Sequence, residues 1–231
     1  MNDVLPRSDE IVGEAAIQAA LDRMATEIEA RLAGRNPLVV TVMNGGLIFA
    51  GQLLPRLGVA LELSYVHVRR YGQETTGGEL VWIAGPHEPV TGRTVLLLDD
   101  ILDEGRTLAT IRSRLLEQGA TEVLIAAFAL KERAAPAQVQ ADFVGVRVPD
   151  RFVFGFGMDV AGAWRNLPSI RALRHEPACT ARVVAGSPRS SRFPPWLRSQ
   201  PAPFTPRAKG SCATSRPRRL LCCKYPMTPQ R

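Results

Sequence analysis

VLLLDDILDEGRT, residues 95–107, is the stretch on which the reading of this chain turns. The apolar run 95–98 fits a fully buried strand, and Asp99 and Asp100 stand at its exit. A short turn through Asp103, Glu104 and Gly105 then opens a helical segment from about Arg106 to Gly119. Backbone N–H groups at such a helix start, with the helix dipole behind them, form an anion site suited to a phosphate. Gly105 permits a tight approach, and Thr107 adds a hydroxyl donor. The two adjacent carboxylates are placed to accept bonds from the vicinal hydroxyls of a ribose. A glycine turn alone would be an ordinary capped strand-to-helix junction. Strand, double acid, third acid and EGRT together point to a sugar phosphate.

Working outward, the same alternation of strand and helix recurs. LVVTVM (38–43) reads as a buried strand, followed by Gly45-Gly46 and a helix-like segment from Leu47 towards Leu57. ALELSYVHV (60–68) reads as another strand, ELVWIAG (79–85) as an edge strand, and VLIAAFAL (123–130) as the next buried one. DFVGVRV (142–148) and RFVFGFGMD (151–159) supply shorter strands. Near the start, Ser8 and Asp9 offer N-caps to a helix running towards Leu32, with Ile17, Leu21, Met24, Ile28 and Leu32 at helical spacing. This order predicts an α/β fold, a doubly wound parallel sheet with ligands at the carboxyl ends of its strands. Met43-Asn44, Asp99–Thr107 and Lys131 fall at those ends. The polar, glycine-bearing segment 69–79 (RRYGQETTGGE) reads as a mobile loop.

Charge divides the chain in two. Residues 176–231 carry 11 Lys and Arg against one acid, along with 10 of the 18 prolines and all four cysteines. Residues 1–175 are left mildly acidic, with 18 basic and 21 acidic residues, and without cysteine, which suits a reducing compartment. The tail has no apolar period and reads as a disordered extension. A grip on an anionic polymer is the rival reading of so basic a tail. Cys222-Cys223 lacks a second ligand pair at zinc spacing. No apolar run reaches membrane-spanning length, and MNDVLPRSDE lacks a signal-peptide pattern, so a cytoplasmic protein is expected.

Residues 95–107 resemble the phosphoribosyl pyrophosphate (PRPP) signature of type I phosphoribosyltransferases, and the rest of 1–175 resembles their hypoxanthine-guanine branch. The resemblance implies a catalytic domain over 1–175, with a small hood region beside the sheet and 176–231 as a tail. It implies a magnesium-dependent transfer of ribose 5-phosphate from PRPP to a 6-oxopurine base. Asp99 and Asp100 would hold the ribose hydroxyls and the metal side of the substrate. Asp103 would sit by N7 of the purine as general base or acid, and Glu104, Gly105, Arg106 and Thr107 would cradle the 5-phosphate. MNGG (43–46) is similar to the pyrophosphate loop, with Asn44 and Gly45 on PRPP and a Met43-Asn44 peptide that can be cis. Lys131 would donate to the purine 6-oxo group, while Phe152 and Val153 would stack on the base and read its edge. Asp159 would lie near the pyrophosphate magnesium, and Arg165 would grip pyrophosphate. Arg70 and Tyr71 would belong to a closing lid. The family is commonly dimeric or tetrameric, so a homo-oligomer is expected, with neither membrane nor nucleic acid as partner. Asn44, where lysine or arginine is common, Glu104, where threonine is commoner, Arg70 for serine and Asp99 for glutamate are departures from the pattern. A xanthine preference, or a nucleic-acid-binding regulator on the same fold, are the rival functions.

Overall fold

The computed structural model describes residues 3–70 and 80–174, all of which fall in one compact unit, Met1–Cys179. The elements in chain order are β1 (Ser8–Val12), α1 (Glu14–Leu32), β2 (Leu38–Met43), α2 (Gly46–Leu53), β3 (Glu62–Arg70), β4 (Leu80–Ala84) and β5 (Thr94–Leu102). They continue with α3 (Arg106–Glu117), β6 (Glu122–Glu132), β7 (Phe143–Pro149), β8 (Val153–Phe154) and β9 (Ile170–Leu173). Loop residues 71–79, the side chain of Arg70 and the tail from 175 onward lie outside the described residues.

The main sheet has the order β4-β3-β2-β5-β6-β7, parallel except for β4, which runs antiparallel on the β3 edge. From β2 the chain passes through α2 outward to β3, whereas from β5 it passes through α3 to β6 on the other side. The strand order therefore reverses between β2 and β5, the switch point at whose carboxyl ends ligands of such sheets bind. A separate antiparallel sheet, β1-β9-β8, forms the hood.

Strand alternation sorts the apolar residues into two layers. Val39 of β2, Leu96 and Leu98 of β5, and Leu124, Ala126 and Phe128 of β6 pack with α1 and α2, through Ile17, Leu21, Met24, Ile28, Phe49 and Leu53. Val40, Val95, Leu97, Val123, Ile125 and Ala127 face the opposite way, onto Leu108, Ile111 and Leu115 of α3. Each Val, Leu, Ile, Met or Phe among them, taken fully from water, contributes about 1.5–3 kcal/mol. Both faces of β5 are covered, which explains its unbroken apolar run.

Two expectations need correction. Ser8 and Asp9 are not helix caps. They begin β1, pairing with Leu173 and Ala172, and α1 starts at Glu14 behind Gly13 without a side-chain cap. The partner strand lies at the far end of the domain, beyond the reach of a local pattern. RFVFGFGMD also yields only the two-residue β8, because Gly155 (φ 93°), Phe156 (φ 48°) and Gly157 (φ 103°) bend the chain away.

Candidate active site

At the end of β2 the Met43–Asn44 peptide is cis, as expected, and Asn44 is exposed. Gly45 follows with an ordinary helical backbone, φ −58° and ψ −52°. Its requirement for glycine is therefore spatial. A Cβ there would fall against the Asp100 carboxylate, 2.6 Å from Cγ and 2.7 Å from Oδ1. Gly157 comes from the other side, and a Cβ on it would meet the carbonyl oxygen of Gly45. The loops at 43–46 and 155–159 thus touch backbone to backbone.

Asp99 and Asp100 sit inside β5, which continues to Leu102, and are only 8 % and 7 % exposed. Asp99 accepts a bond from the Asp100 amide at 3.0 Å. Burial pushes the Asp99 carboxyl well above the usual carboxylate range, and the neighbouring Asp100 charge pushes it further. Burial also raises Asp100, against the opposing effects of the Asp99 hydrogen bond and the Arg165 charge. Arg165 stands 4.0 Å from Asp100 and 2.5 Å from Asp159, and donates to the Gly157 carbonyl at 2.6 Å. It ties the double acid to the 155–159 loop. Two buried carboxylates with so little compensation are costly, and such pairs collect where they bind or react.

The third acid lies one turn further on. Asp103 accepts from Lys131 Nζ at 2.7 Å and also from Arg133. Lys131, near the end of the adjacent β6, is 12 % exposed. Partial burial raises the Asp103 carboxyl, but the bonds from Lys131 and Arg133, and then their charges, outweigh it and hold it below its ordinary value. These residues, with Leu130, Pro136 and Arg147, line a cavity of about 330 Å³. Gly105, at φ 75°, takes the left-handed turn into α3, which has no side-chain cap. Glu104 pairs with Arg106 at 3.1 Å and approaches Arg133 at 3.6 Å, so it is held between cations rather than turned free to solvent. Arg133 went unnoticed in the sequence, where Lys131-Glu132-Arg133 looks like a solvated charge run. The available signal was period two, which places 131 and 133 on one face.

The predicted residues divide accordingly. Gly45, Asp100, Asp159 and Arg165 meet at the β2/β5 switch point, and Asp103, Glu104 and Lys131 meet around Arg133. Val153 is buried in β8, whereas Phe152 stands 52 % exposed on the hood. Phe154 and Phe156 are core residues with no exposure. Tyr71 and the Arg70 side chain cannot be assigned to the site, being outside the described residues.

The phosphoribosyl transferase domain family matches residues 8–161. The chain belongs to this family. It is similar to the hypoxanthine-guanine phosphoribosyltransferase of Bacillus subtilis, 33 % identical over 165 residues that cover 71 % of this chain and 92 % of that protein. The bifunctional protein TilS/HprT of Listeria innocua is 36 % identical over 167 residues, 72 % of this chain but 26 % of that protein, so the chain spans about a quarter of that relative's length. Among solved structures, a hypoxanthine phosphoribosyltransferase from Staphylococcus aureus superposes with a TM-score of 0.70 at 26 % identity, covering 75 % of this chain and 96 % of the other. A hypoxanthine-guanine phosphoribosyltransferase from Bacillus anthracis gives 0.68 at 26 % identity over 72 % and 98 %. The fold is thus the type I phosphoribosyltransferase fold, with its parallel sheet and hood. The family match ends at 161, ahead of Arg165, whose place beside Asp100 and Asp159 rests on geometry.

Proposed function

We propose that the chain, through residues 1–175, transfers ribose 5-phosphate from PRPP to hypoxanthine or guanine, releasing pyrophosphate and forming IMP or GMP. The observation that carries this reading is the Asp103–Lys131 pair, set beside the buried Asp99-Asp100 pair across neighbouring strands. One pair offers acceptors for a ribose edge, the other an acceptor and a donor for a base edge.

The ribose hydroxyls bond to Asp99 and Asp100. The 5-phosphate takes the start of α3 at Gly105–Thr107, with Arg106 adding charge. The pyrophosphate lies along Asn44, Gly45 and Arg165, where a guanidinium fork suits its oxygens. Lys131 donates to the purine 6-oxo group, and an adenine amino group cannot accept that bond. Phe152 and Val153 close over the base from the hood. The C1–oxygen bond to pyrophosphate breaks, the C1–N9 bond forms, and the imidazole proton of the purine leaves by way of Asp103. A carboxylate held below its ordinary pKa is a weak base. Asp103 therefore orients the N7 edge and takes the proton as positive charge builds on the ring.

Among the described residues no cluster of three His, Cys, Asp or Glu side chains could cage a metal. A magnesium ion held partly by substrate needs no such cage, only one or two carboxylates and its own waters. Asp99, Asp100 and Asp159 fit that requirement, and the ion would neutralise charge on the leaving pyrophosphate. Exposed Leu63, Tyr65, Val81 and Ile83 form one apolar face of β3 and β4, which supports self-association. The named relatives are enzymes, which weighs against the nucleic-acid-binding regulator. No helix among the described residues is long and apolar enough to cross a membrane.

The test is pyrophosphate release from PRPP with hypoxanthine, guanine, xanthine, adenine and uracil in parallel. Turnover with hypoxanthine and guanine is expected. Release with uracil or adenine alone would refute the base assignment, and release with xanthine alone would move it to the xanthine-preferring branch.

A further inference from the structure

Resting on that reading, we infer that Arg133 is a positioning residue that offsets Glu104 at the phosphate cradle while holding Asp103 in place. The geometry is a fork. One guanidinium nitrogen of Arg133 bonds Asp103 Oδ1, and the other stands 3.6 Å from Glu104 Oε1. Arg133 follows directly on β6, and the turn it grips is also fixed by the bond from the Gln138 amide to the Glu104 carbonyl, 2.9 Å. Both acids of the 103–104 turn are thus bound to the segment that follows β6.

A carboxylate next to a phosphate cradle is unfavourable by itself, and Glu104 occupies that place. The ion pairs join it to a cluster of two acids (Asp103, Glu104) and three cations (Arg106, Lys131, Arg133) with a net charge of +1, and the Asp150 charge also acts on Arg133. Without Arg133 the sum is zero. Glu104 then keeps only Arg106, a residue the 5-phosphate also needs. With Arg133 present, Glu104 is shared between two cations, Arg106 at 3.1 Å and Arg133 at 3.6 Å, so the demand of the carboxylate on Arg106 is reduced. Lysine could not do both tasks, since a single ammonium lacks the planar pair of donors. Arg133 also helps to lower the Asp103 carboxyl, so its loss moves that group back towards the usual range. Arg133 touches no reacting atom in this scheme and acts through the two acids.

The experiment compares the full-length enzyme with Arg133→Met, Glu104→Thr and the double variant, reading KM for PRPP, kcat and the pH profile of kcat/KM. A charge-assisted contact of this kind sets the expected size, a rise in PRPP KM on the order of tenfold for Arg133→Met. Glu104→Thr alone lowers that KM, because the carboxylate that opposes the phosphate is gone. The double variant returns PRPP KM to within about twofold of Glu104→Thr, because the group needing compensation is gone. The acid limb of the profile moves up in both variants that lack Arg133, and the Glu104 change does not restore it. A double variant as impaired towards PRPP as Arg133→Met overturns the offset role. So does an Arg133→Met enzyme with unchanged KM. If Arg133→Met does not fold, Glu104→Thr in the otherwise intact chain still decides, since a large rise in its PRPP KM means the carboxylate assists the phosphate. Failure of the underlying functional reading shows separately, as no pyrophosphate release by the unaltered enzyme.

Discussion

Alanine at two glycines on the same short stretch, Gly45 and Gly51, should have opposite effects. Gly51 lies exposed in α2 with nothing within 4 Å of an added Cβ. Removing its freedom in the unfolded chain gains about 0.4–1 kcal/mol. Gly45 has an equally permissive backbone and would gain the same, but its Cβ lands on the Asp100 carboxylate. Overpacking of this kind costs about 1–3 kcal/mol, so the clash wins and the net loss is roughly 0.5–2 kcal/mol. A chain of this size shifts by about 2–4 °C per kcal/mol, which predicts melting about 1–8 °C lower for Gly45→Ala and about 1–4 °C higher for Gly51→Ala. The strain has two outlets. If the backbone moves, stability falls. If the buried Asp100 side chain swings instead, stability is spared and the proposed ribose contact is lost. Displacement of about 1 Å costs up to roughly a hundredfold in kcat/KM, so activity should fall by either route. Differential scanning calorimetry and initial rates at varied PRPP read the two quantities. A Gly45→Ala enzyme with unaltered melting and unaltered kcat/KM would show that the loop and Asp100 are not in contact.

Asp103→Asn is expected to lower kcat at least about a hundredfold with little change in PRPP KM, since it removes a proton acceptor but no phosphate contact; an unchanged kcat in a steady-state assay removes Asp103 from the chemistry. Asp99→Asn should stabilise the fold at neutral pH, because a carboxyl whose folded pKa is raised loses stability as pH climbs from the ordinary carboxylate value, about 3.9, through the folded one. The gain in melting temperature should be largest at pH 7.5 and shrink as pH falls towards 4; a gain independent of pH would contradict the assigned cause. Deleting 177–231 should leave turnover intact, and a truncated chain that folds but does not turn over would give the tail a catalytic part.

The parts of this fold legible in the sequence are those made by neighbouring residues. The run 94–117 announces its strand, turn and helix because burial on both faces, a left-handed glycine and an apolar stripe are all local signals. The hood was not legible in the same way. Ser8 and Asp9 carry good capping side chains, and only their pairing with 172–173 makes them a strand. At the site, Asp99, Asp100, Asp103 and Lys131 stood out as polar residues at apolar strand ends. Arg133 and Gly157 did not, since each owes its importance to a partner distant in sequence: the Asp103–Glu104 turn for one, the Gly45 carbonyl for the other.

Because β5 alternates, Asp99 and Asp100 inherit opposite foundations. Asp99 continues the row of Val95 and Leu97 that rests on α3, and Asp100 the row of Leu96 and Leu98 that rests on α1 and α2. The two carboxylates proposed to share one ribose are therefore anchored in two separately packed layers. Loosening either layer, even at a residue far from the pocket such as Leu21 or Ile111, unseats one partner of the pair while leaving the other in position.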